Sequence, residues 1–216
     1  MHLSRRGLIA ALPATAAAVA LTGPSLLRGT ATAAGVADVA KAQSLADMVL
    51  GSAGAPVTIV EYAAPTCPHC ARFNEVVFPR IRSEFIDTGK VRYVFREFPL
   101  SIKDVGCAML ARRVAKEDPV KYFAVIDAMF KQQDQLVWKT ADTLKLIGKQ
   151  AGLSAQAVED CLKDQALMDR IAADQKYASE VLKVGGTPTF FINGEMLRGE
   201  ASFEEFDKRI KSLLKS

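Results

Sequence analysis

The chain has 216 residues, half of them apolar, and a mean hydropathy of +0.11. That length supports one core-bearing domain, or one domain carrying an insertion. The formal charge of +4 says little about partners. Residues 1–33 hold Arg5, Arg6 and Arg28 and no acid, so the remainder carries +1, without the basic footprint that nucleic acid or an anionic membrane surface requires.

In chain order the first element reads as an export signal. Arg5 and Arg6 form its charged start, Leu8 to Leu21 is a short alanine-rich apolar stretch broken by Pro13, and Ala31-Thr32-Ala33 offers small residues for cleavage near Ala33. The stretch is short for a hydrocarbon core of ~30 Å, which favours a cleaved signal over an anchor. Ser4-Arg5-Arg6-Gly7-Leu8-Ile9 is similar to the twin-arginine export motif; an ordinary secretory signal that contains two arginines fits equally well. Either route predicts a periplasmic protein. There disulfides persist, and the four cysteines form an even set.

Asp38 to Leu50 reads as a short helix closed by Gly51. Val57-Thr58-Ile59-Val60-Glu61-Tyr62 is β-rich and suits a buried strand. From Pro68 to about Asp87 the apolar residues step by three and four, a helix that Pro79 should kink and Gly89 should stop. Val91 to Phe98 is the second strand. Lys103 to Lys183 contains no convincing strand and reads as four or five helices. Pro119 opens one of them, Thr140 and Ser154 are expected N-caps and Gly152 a C-cap. Its aromatic residues Tyr122, Phe123, Phe130 and Trp138, with Met129, are expected to be helical core. Thr189 to Ile192, Asn193-Gly194 and Met196 to Arg198 make a hairpin. Ser202-Phe203-Glu204-Glu205 is a capping-box pattern opening the last helix.

The chemistry concentrates in Cys67-Pro68-His69-Cys70. Cys67 falls at the N-terminus of the helix that Pro68 begins, where unpaired N–H groups favour a thiolate, and such thiols have pKa values lowered to roughly 3.5–7.5. Cys70, one turn along, is the resolving thiol, and His69 adds a donor beside the thiolate. A stabilised Cys67 thiolate leaves readily from a mixed disulfide, which makes the pair an oxidant. Glu61 shares a strand face with Val57 and Ile59, six residues before Cys67. Partly buried there, it is expected to have a raised pKa and to relay the proton of Cys70; an exposed strand-end glutamate or a structural ion pair is the alternative. A structural Cys67–Cys70 staple would close almost no loop. Zinc needs four ligands, and His69 is the only histidine beyond the signal, so neither metal nor cofactor is expected. Cys107 falls on a stripe with Leu110, Ala111 and Val114, and Cys161 with Val158 and Leu162. They read either as small buried hydrophobes or as a disulfide tying two helices, with the disulfide preferred.

The order strand, helix, strand, helical block, hairpin, helix is the thioredoxin plan with an inserted all-helical domain, an α/β fold. Its parts are a signal at 1–33, a thioredoxin-like domain over 34–102 and 184–216, and the insertion over 103–183. Glu61-Tyr62, Thr66-Cys67-Pro68-His69-Cys70, Phe95-Arg96-Glu97-Phe98-Pro99-Leu100 and Gly185-Gly186-Thr187-Pro188-Thr189-Phe190 together resemble the DsbA family of bacterial exported disulfide oxidoreductases. The resemblance implies that Pro188 is a cis-proline facing the active disulfide and that the backbone of Thr187 pairs with substrate peptide. It also implies the helper role of His69 and supports the relay at Glu61. A second disulfide, here Cys107–Cys161, resembles what some members carry. Thr187 stands where the family's archetype has valine and is more similar to the isomerase relatives.

Three functions compete. The first is a dithiol oxidase acting on unfolded exported proteins with free thiols and reoxidised by a membrane quinone-linked partner (DsbB-like). The second is a reductase or isomerase kept reduced, favoured by Thr187. About 20 residues between the cleavage point and the first strand leave no room for the dimerisation domain of such isomerases, so a monomer is expected. The third is a non-catalytic folding or binding module.

Overall fold

The computed structural model describes His2, residues 35–41 and residues 43–215; the expected export signal and cleavage near Ala33 lie outside the described residues. At the centre β2 (Val57–Ala63) and β3 (Val91–Glu97) pair in parallel, with Glu61 opposite Phe95. A parallel pair needs a crossover rather than a tight turn, and the helical run from Pro68 supplies it. β1 (Met48–Leu50) lies antiparallel to β3, β4 (Thr189–Ile192) antiparallel to β2, and β5 (Glu195–Arg198) antiparallel to β4, in the order β1-β3-β2-β4-β5. Asn193 and Gly194, at φ +45° and +87°, make the β4–β5 turn that Asn-Gly favours.

The expected helix from Asp38 to Leu50 is corrected. α1 covers only Val36–Ala40, and Met48–Leu50 is an edge strand in register with Phe95, Val94 and Tyr93. The ladder offered by β3 outweighs the weak helical preference of three residues. Gly51 closes this strand, not a helix. Its φ is +89°, and a Cβ there would stand 2.3 Å from the Val91 carbonyl oxygen, which only glycine avoids.

Both faces of the sheet are covered, which explains why β2 and β3 read as nearly continuous apolar runs. Val57, Ile59 and Ala63 of β2 and Val91, Tyr93 and Phe95 of β3 enter the larger core, while Val60, Tyr62 and Val94 join Phe191, Leu182 and Val184 on the other side. Glu61 lies on the larger-core face, as its parity with Val57 and Ile59 requires.

The crossover is one helical run in four pieces: α2 (Pro68–Arg72), a π-helical turn (Phe73–Val77), α3 (Phe78–Ile81) and a second π turn (Arg82–Ile86). Pro79 is the cause. It has no N–H for the preceding turn, so the wide turn ends just before it and α3 begins with the proline in its first turn, where no donor is needed. Phe73 packs on Phe190 and Phe206 at centroid distances of 4.6 and 5.5 Å. Burial of each ring is worth about 1.5–3 kcal/mol, so this cluster clamps the helix bearing Cys70 onto β4 and onto α10 (Phe203–Leu213).

Between β3 and β4 lie six helices rather than four or five: α4 (Ile102–Ala115), α5 (Pro119–Lys131), α6 (Gln133–Trp138), α7 (Thr140–Gln150), α8 (Ala155–Cys161) and α9 (Gln165–Glu180). Breaks at Gln132 and Lys139 divide what the periodicity left whole. Pro119 opens α5 and the Ser154 hydroxyl caps α8 as expected. Thr140 is not a cap: it is already helical, and its hydroxyl donates back to the Leu136 carbonyl at 2.8 Å. Tyr122, Met129 and Phe130 are buried, but Trp138 is 84% exposed. The break at Lys139 ends α6 there and leaves the indole outside. Among the described residues no helix is long and apolar enough to cross a membrane.

Candidate active site

Cys67 is the N-cap of α2, in extended conformation at φ −79° and ψ +120°, with Pro68 in the first helical turn. A proline there costs no hydrogen bond and fixes the direction in which the helix starts. Cys67 is 5% exposed and Cys70 is fully buried behind it. The Cys70 thiol donates to the Cys67 sulfur, which is the largest influence holding the Cys67 pKa down, to about 5. The Thr187 side chain and the backbone N–H groups of Cys70 and His69 act in the same direction, against the cost of burying the charge. As a thiol, Cys67 instead donates to the Thr187 carbonyl at 3.3 Å.

Cys70 is pushed the other way. Burial raises it far above the ordinary thiol range, and its bond to Cys67 and the charge of Glu61 add to this. Glu61 is 2% exposed, and burial pushes its carboxyl up to about 8, although a hydrogen bond from the Tyr93 hydroxyl to Oε2 opposes the shift. Its other oxygen, Oε1, is buried and has no hydrogen-bond partner among the described residues. Two thiols and a carboxyl thus share one dry site with their proton affinities forced apart.

The peptide bond between Thr187 and Pro188 is cis. Thr187 lies against Cys67, and among the described residues its buried hydroxyl has no partner other than the Cys67 thiolate it helps to hold. His69 departs from expectation. Its ring turns outward to Glu200, Nδ1 to Oε2 at 3.0 Å, and is 65% exposed, so only its backbone N–H serves Cys67. An N1–N2 position on a helix points its side chain away from the capped group, which accounts for the difference. Glu200 also binds Arg72 Nε at 2.6 Å.

The structure does not join Cys107 and Cys161. Both are free, buried thiols in different core clusters, and Cys161 Sγ donates to the Met109 carbonyl at 3.2 Å. Cys107 packs with Leu110 and Ala111, and Cys161 with Ala108, Met109 and Ile171.

Several supporting residues have no signature in the sequence. Asp104, 1% exposed at the start of α4, accepts from the Thr66 N–H and hydroxyl, both at 2.9 Å, from the Leu100 N–H at 3.2 Å and from the Ser101 hydroxyl at 3.1 Å. Gln133 of α6 donates to the carbonyls of Pro65 and Cys67 at 2.7 and 2.9 Å. The insertion therefore fixes the loop before Cys67 from two helices. Glu97 accepts both nitrogens of Arg112 at 2.6 and 2.7 Å and the Tyr122 hydroxyl at 2.6 Å, which ties α4 and α5 to the end of β3. Only Tyr93 had a usable signal, its parity with Val91 and Phe95 on a strand beside Glu61.

Comparison with known proteins agrees with this geometry. The family model described as Thioredoxin matches residues 43–212. A putative protein-disulfide oxidoreductase of Rickettsia bellii is 36% identical over 152 residues, 68% of this chain and 57% of the relative. The chain spans a little over half the length of the first Rickettsia relatives it matches. Disulfide bond formation protein D of Bacillus subtilis is 30% identical over 173 residues, 77% of each chain. The crystal structure of Wolbachia pipientis alpha-DsbA1 superposes with a TM-score of 0.73 at 33% identity, covering 78% of this chain and 91% of that one. Oxidised BdbD from Bacillus subtilis gives 0.70 at 26%, covering 79% and 94%. With the family model spanning both halves of the sheet and the insertion between them, the chain belongs to the DsbA family of thioredoxin-fold proteins.

Proposed function

We propose that this protein is a thiol–disulfide oxidoreductase working as a dithiol oxidase on unfolded exported proteins with free thiols. The observation that carries the reading is the opposite pull on two adjacent sulfurs, with Cys67 lowered to about 5 and Cys70 raised. In the oxidised enzyme a substrate thiolate attacks Cys67; the Cys67–Cys70 bond breaks and Cys70 leaves, taking a proton from Glu61. A second substrate thiolate then attacks the first substrate sulfur, forming the substrate disulfide and expelling Cys67. The better Cys67 holds its charge, the more readily it leaves and the more the reduced enzyme is favoured.

On this reading Pro188 and the Thr187 backbone seat the substrate strand, Pro68 sets the helix start, and His69 contributes through its N–H. The protein acts as a periplasmic monomer after cleavage near Ala33 and is reoxidised by a membrane quinone-linked partner. A reductase or isomerase is favoured by one feature, a threonine rather than a valine at position 187 beside Cys67. Equilibration of the mature protein in glutathione buffers, with the pH dependence of Cys67 alkylation, separates the two. An oxidase has a thiolate titrating near 5 and a potential well above that of thioredoxin. Values of about −270 mV and about 7 would sink the oxidase direction.

A further inference from the structure

We propose that Tyr93 is a positioning residue for proton exchange between Cys70 and Glu61: its hydroxyl holds Oε2 of the buried carboxyl and leaves Oε1 to trade the proton. The inference rests on the redox reading of Cys67 and Cys70 and on the relay role of Glu61. Tyr93 and Glu61 come from adjacent parallel strands, where Ile59 pairs with Tyr93 and Glu61 with Phe95, so the tyrosine lies one pleat below the carboxyl on the same face. The ring is 1% exposed and packed against Phe78 at 4.8 Å and Phe123 at 6.1 Å. The hydroxyl is thus fixed in direction, and the acceptor it meets among the described residues is Glu61 Oε2.

The groups that face Glu61 are few. They are Tyr93 of β3, Cys67 and Cys70 of α2, and Tyr122 of α5, whose hydroxyl is committed to Glu97; on the sheet, Phe190 and Phe95 flank it as apolar neighbours. A donor to one carboxylate oxygen stabilises the ionised form. Tyr93 therefore keeps Glu61 ionisable at a pH where burial alone would hold it neutral. When Cys70 attacks a mixed disulfide on Cys67, the Cys70 proton passes to Glu61 Oε1. The bond between Cys67 and the outside sulfur breaks, the Cys67–Cys70 bond forms, and the outside sulfur leaves with the electron pair as a thiolate.

The test uses reduced mature protein in a Cys107→Ala/Cys161→Ala background, mixed with 5,5′-dithiobis(2-nitrobenzoate) in a stopped flow. Cys67 releases the first thionitrobenzoate at a rate set by reagent concentration. Cys70 releases the second intramolecularly, at a rate independent of it. The second rate is expected to rise with pH to a midpoint set by Glu61. Tyr93→Phe should raise that midpoint by about one unit, slowing the release ~10-fold below it, while the first phase keeps its own titration. In a Glu61→Gln background the midpoint should vanish, leaving a slower rate that climbs with hydroxide without levelling, and Tyr93→Phe should then be silent. An unchanged midpoint in Tyr93→Phe, whatever the change in plateau rate, assigns the tyrosine a packing role and overturns the proposal. Persistence of the wild-type midpoint in Glu61→Gln overturns it equally. Should Tyr93→Phe fail to fold, the infrared carboxyl band obtained as wild type minus Glu61→Gln decides: a band of a carboxyl without a donor is the overturning result. A wild type without any concentration-independent release refutes the redox pair itself, a different outcome from failure of Tyr93 alone.

Discussion

Replacing Cys67 with alanine in the reduced protein isolates the energy stored in its thiolate. The folded thiol titrates at about 5 against an ordinary value of 9.0. A group whose folded pKa is depressed adds stability that is complete above its unfolded pKa and disappears as the pH falls through the folded one. The window is therefore pH 9 down to 5. At pH 7 the folded form lies two units above its pKa, and at 1.36 kcal/mol per unit this is about 3 kcal/mol, falling to less than ~1 kcal/mol at pH 5. The gap in unfolding free energy between reduced wild type and reduced Cys67→Ala, from urea titrations in a phosphine reductant, should widen by about 2 kcal/mol from pH 5 to pH 7. Glu61 titrates in both proteins and cancels to first order. The same energy belongs to the reduced state alone, so it raises the reduction potential by ~60 mV relative to an unperturbed pair. A gap that is flat with pH, or that narrows as pH rises, would refute the reasoning, because no thiolate would then be held by the fold.

Glu61 should show the opposite sign. Its carboxyl is raised to about 8, so its folded form is most favourable below pH 4.5 and stability is lost as the pH rises toward 8; Glu61→Gln should stabilise the protein by about 3 kcal/mol at pH 7 and by nothing below pH 4.5, read from denaturant midpoints. Asp104→Ala strips the acceptor from four donors around Thr66 and Ser101 and should cost ~3 kcal/mol or more, seen as a lowered Tm, whereas Asp104→Asn should recover part of the loss. Arg112→Leu leaves Glu97 buried with only the Tyr122 hydroxyl and should cost about 3–5 kcal/mol in urea unfolding, more than the removal of any exposed pair on the surface.

What the sequence disclosed followed its strongest local signals. The helix start at Cys67-Pro68, the Asn-Gly turn, Pro119 and Ser154 each act within a few residues of themselves, and the structure has these as expected. The parity of Glu61 with Val57 and Ile59 also sufficed to bury it, because a strand has only two faces. Met48–Leu50 was illegible because three residues carry no periodicity, and only pairing to β3 makes them a strand. Trp138 failed for a related reason: a helical stripe shows which residues share a face, but the break at Lys139 decides whether anything covers it. The side-chain direction of His69 and the separation of Cys107 from Cys161 depend on rotation about a helix axis, which stripe patterns give only to within a turn. Asp104 and Gln133 reach the active-site loop from 38 and 66 residues away. An acid opening a helix and a glutamine following one look ordinary until the insertion folds back.

The proposed chemistry and these electrostatics meet in one property of the site: each charge depends on whether Cys67 carries one. The Cys67 thiolate raises Glu61, and both its charge and its bond to Cys70 raise Cys70. When Cys67 enters a mixed disulfide that charge is gone, and so are the contributions it made to its two neighbours. Cys70 becomes easier to ionise, and Glu61 becomes a stronger acid at the same moment. The burial of both groups is untouched, so their proton affinities remain elevated but no longer include repulsion from a third charge. The relief is unequal, because Cys70 loses both the bond and the charge while Glu61 loses the charge alone, so passage of the Cys70 proton to Glu61 is opposed in the resting reduced enzyme and eased in the covalent intermediate, the state in which Cys70 has to act. Timing of this kind needs no moving part. It follows from placing two thiols and one carboxyl in a space too dry to screen them from each other.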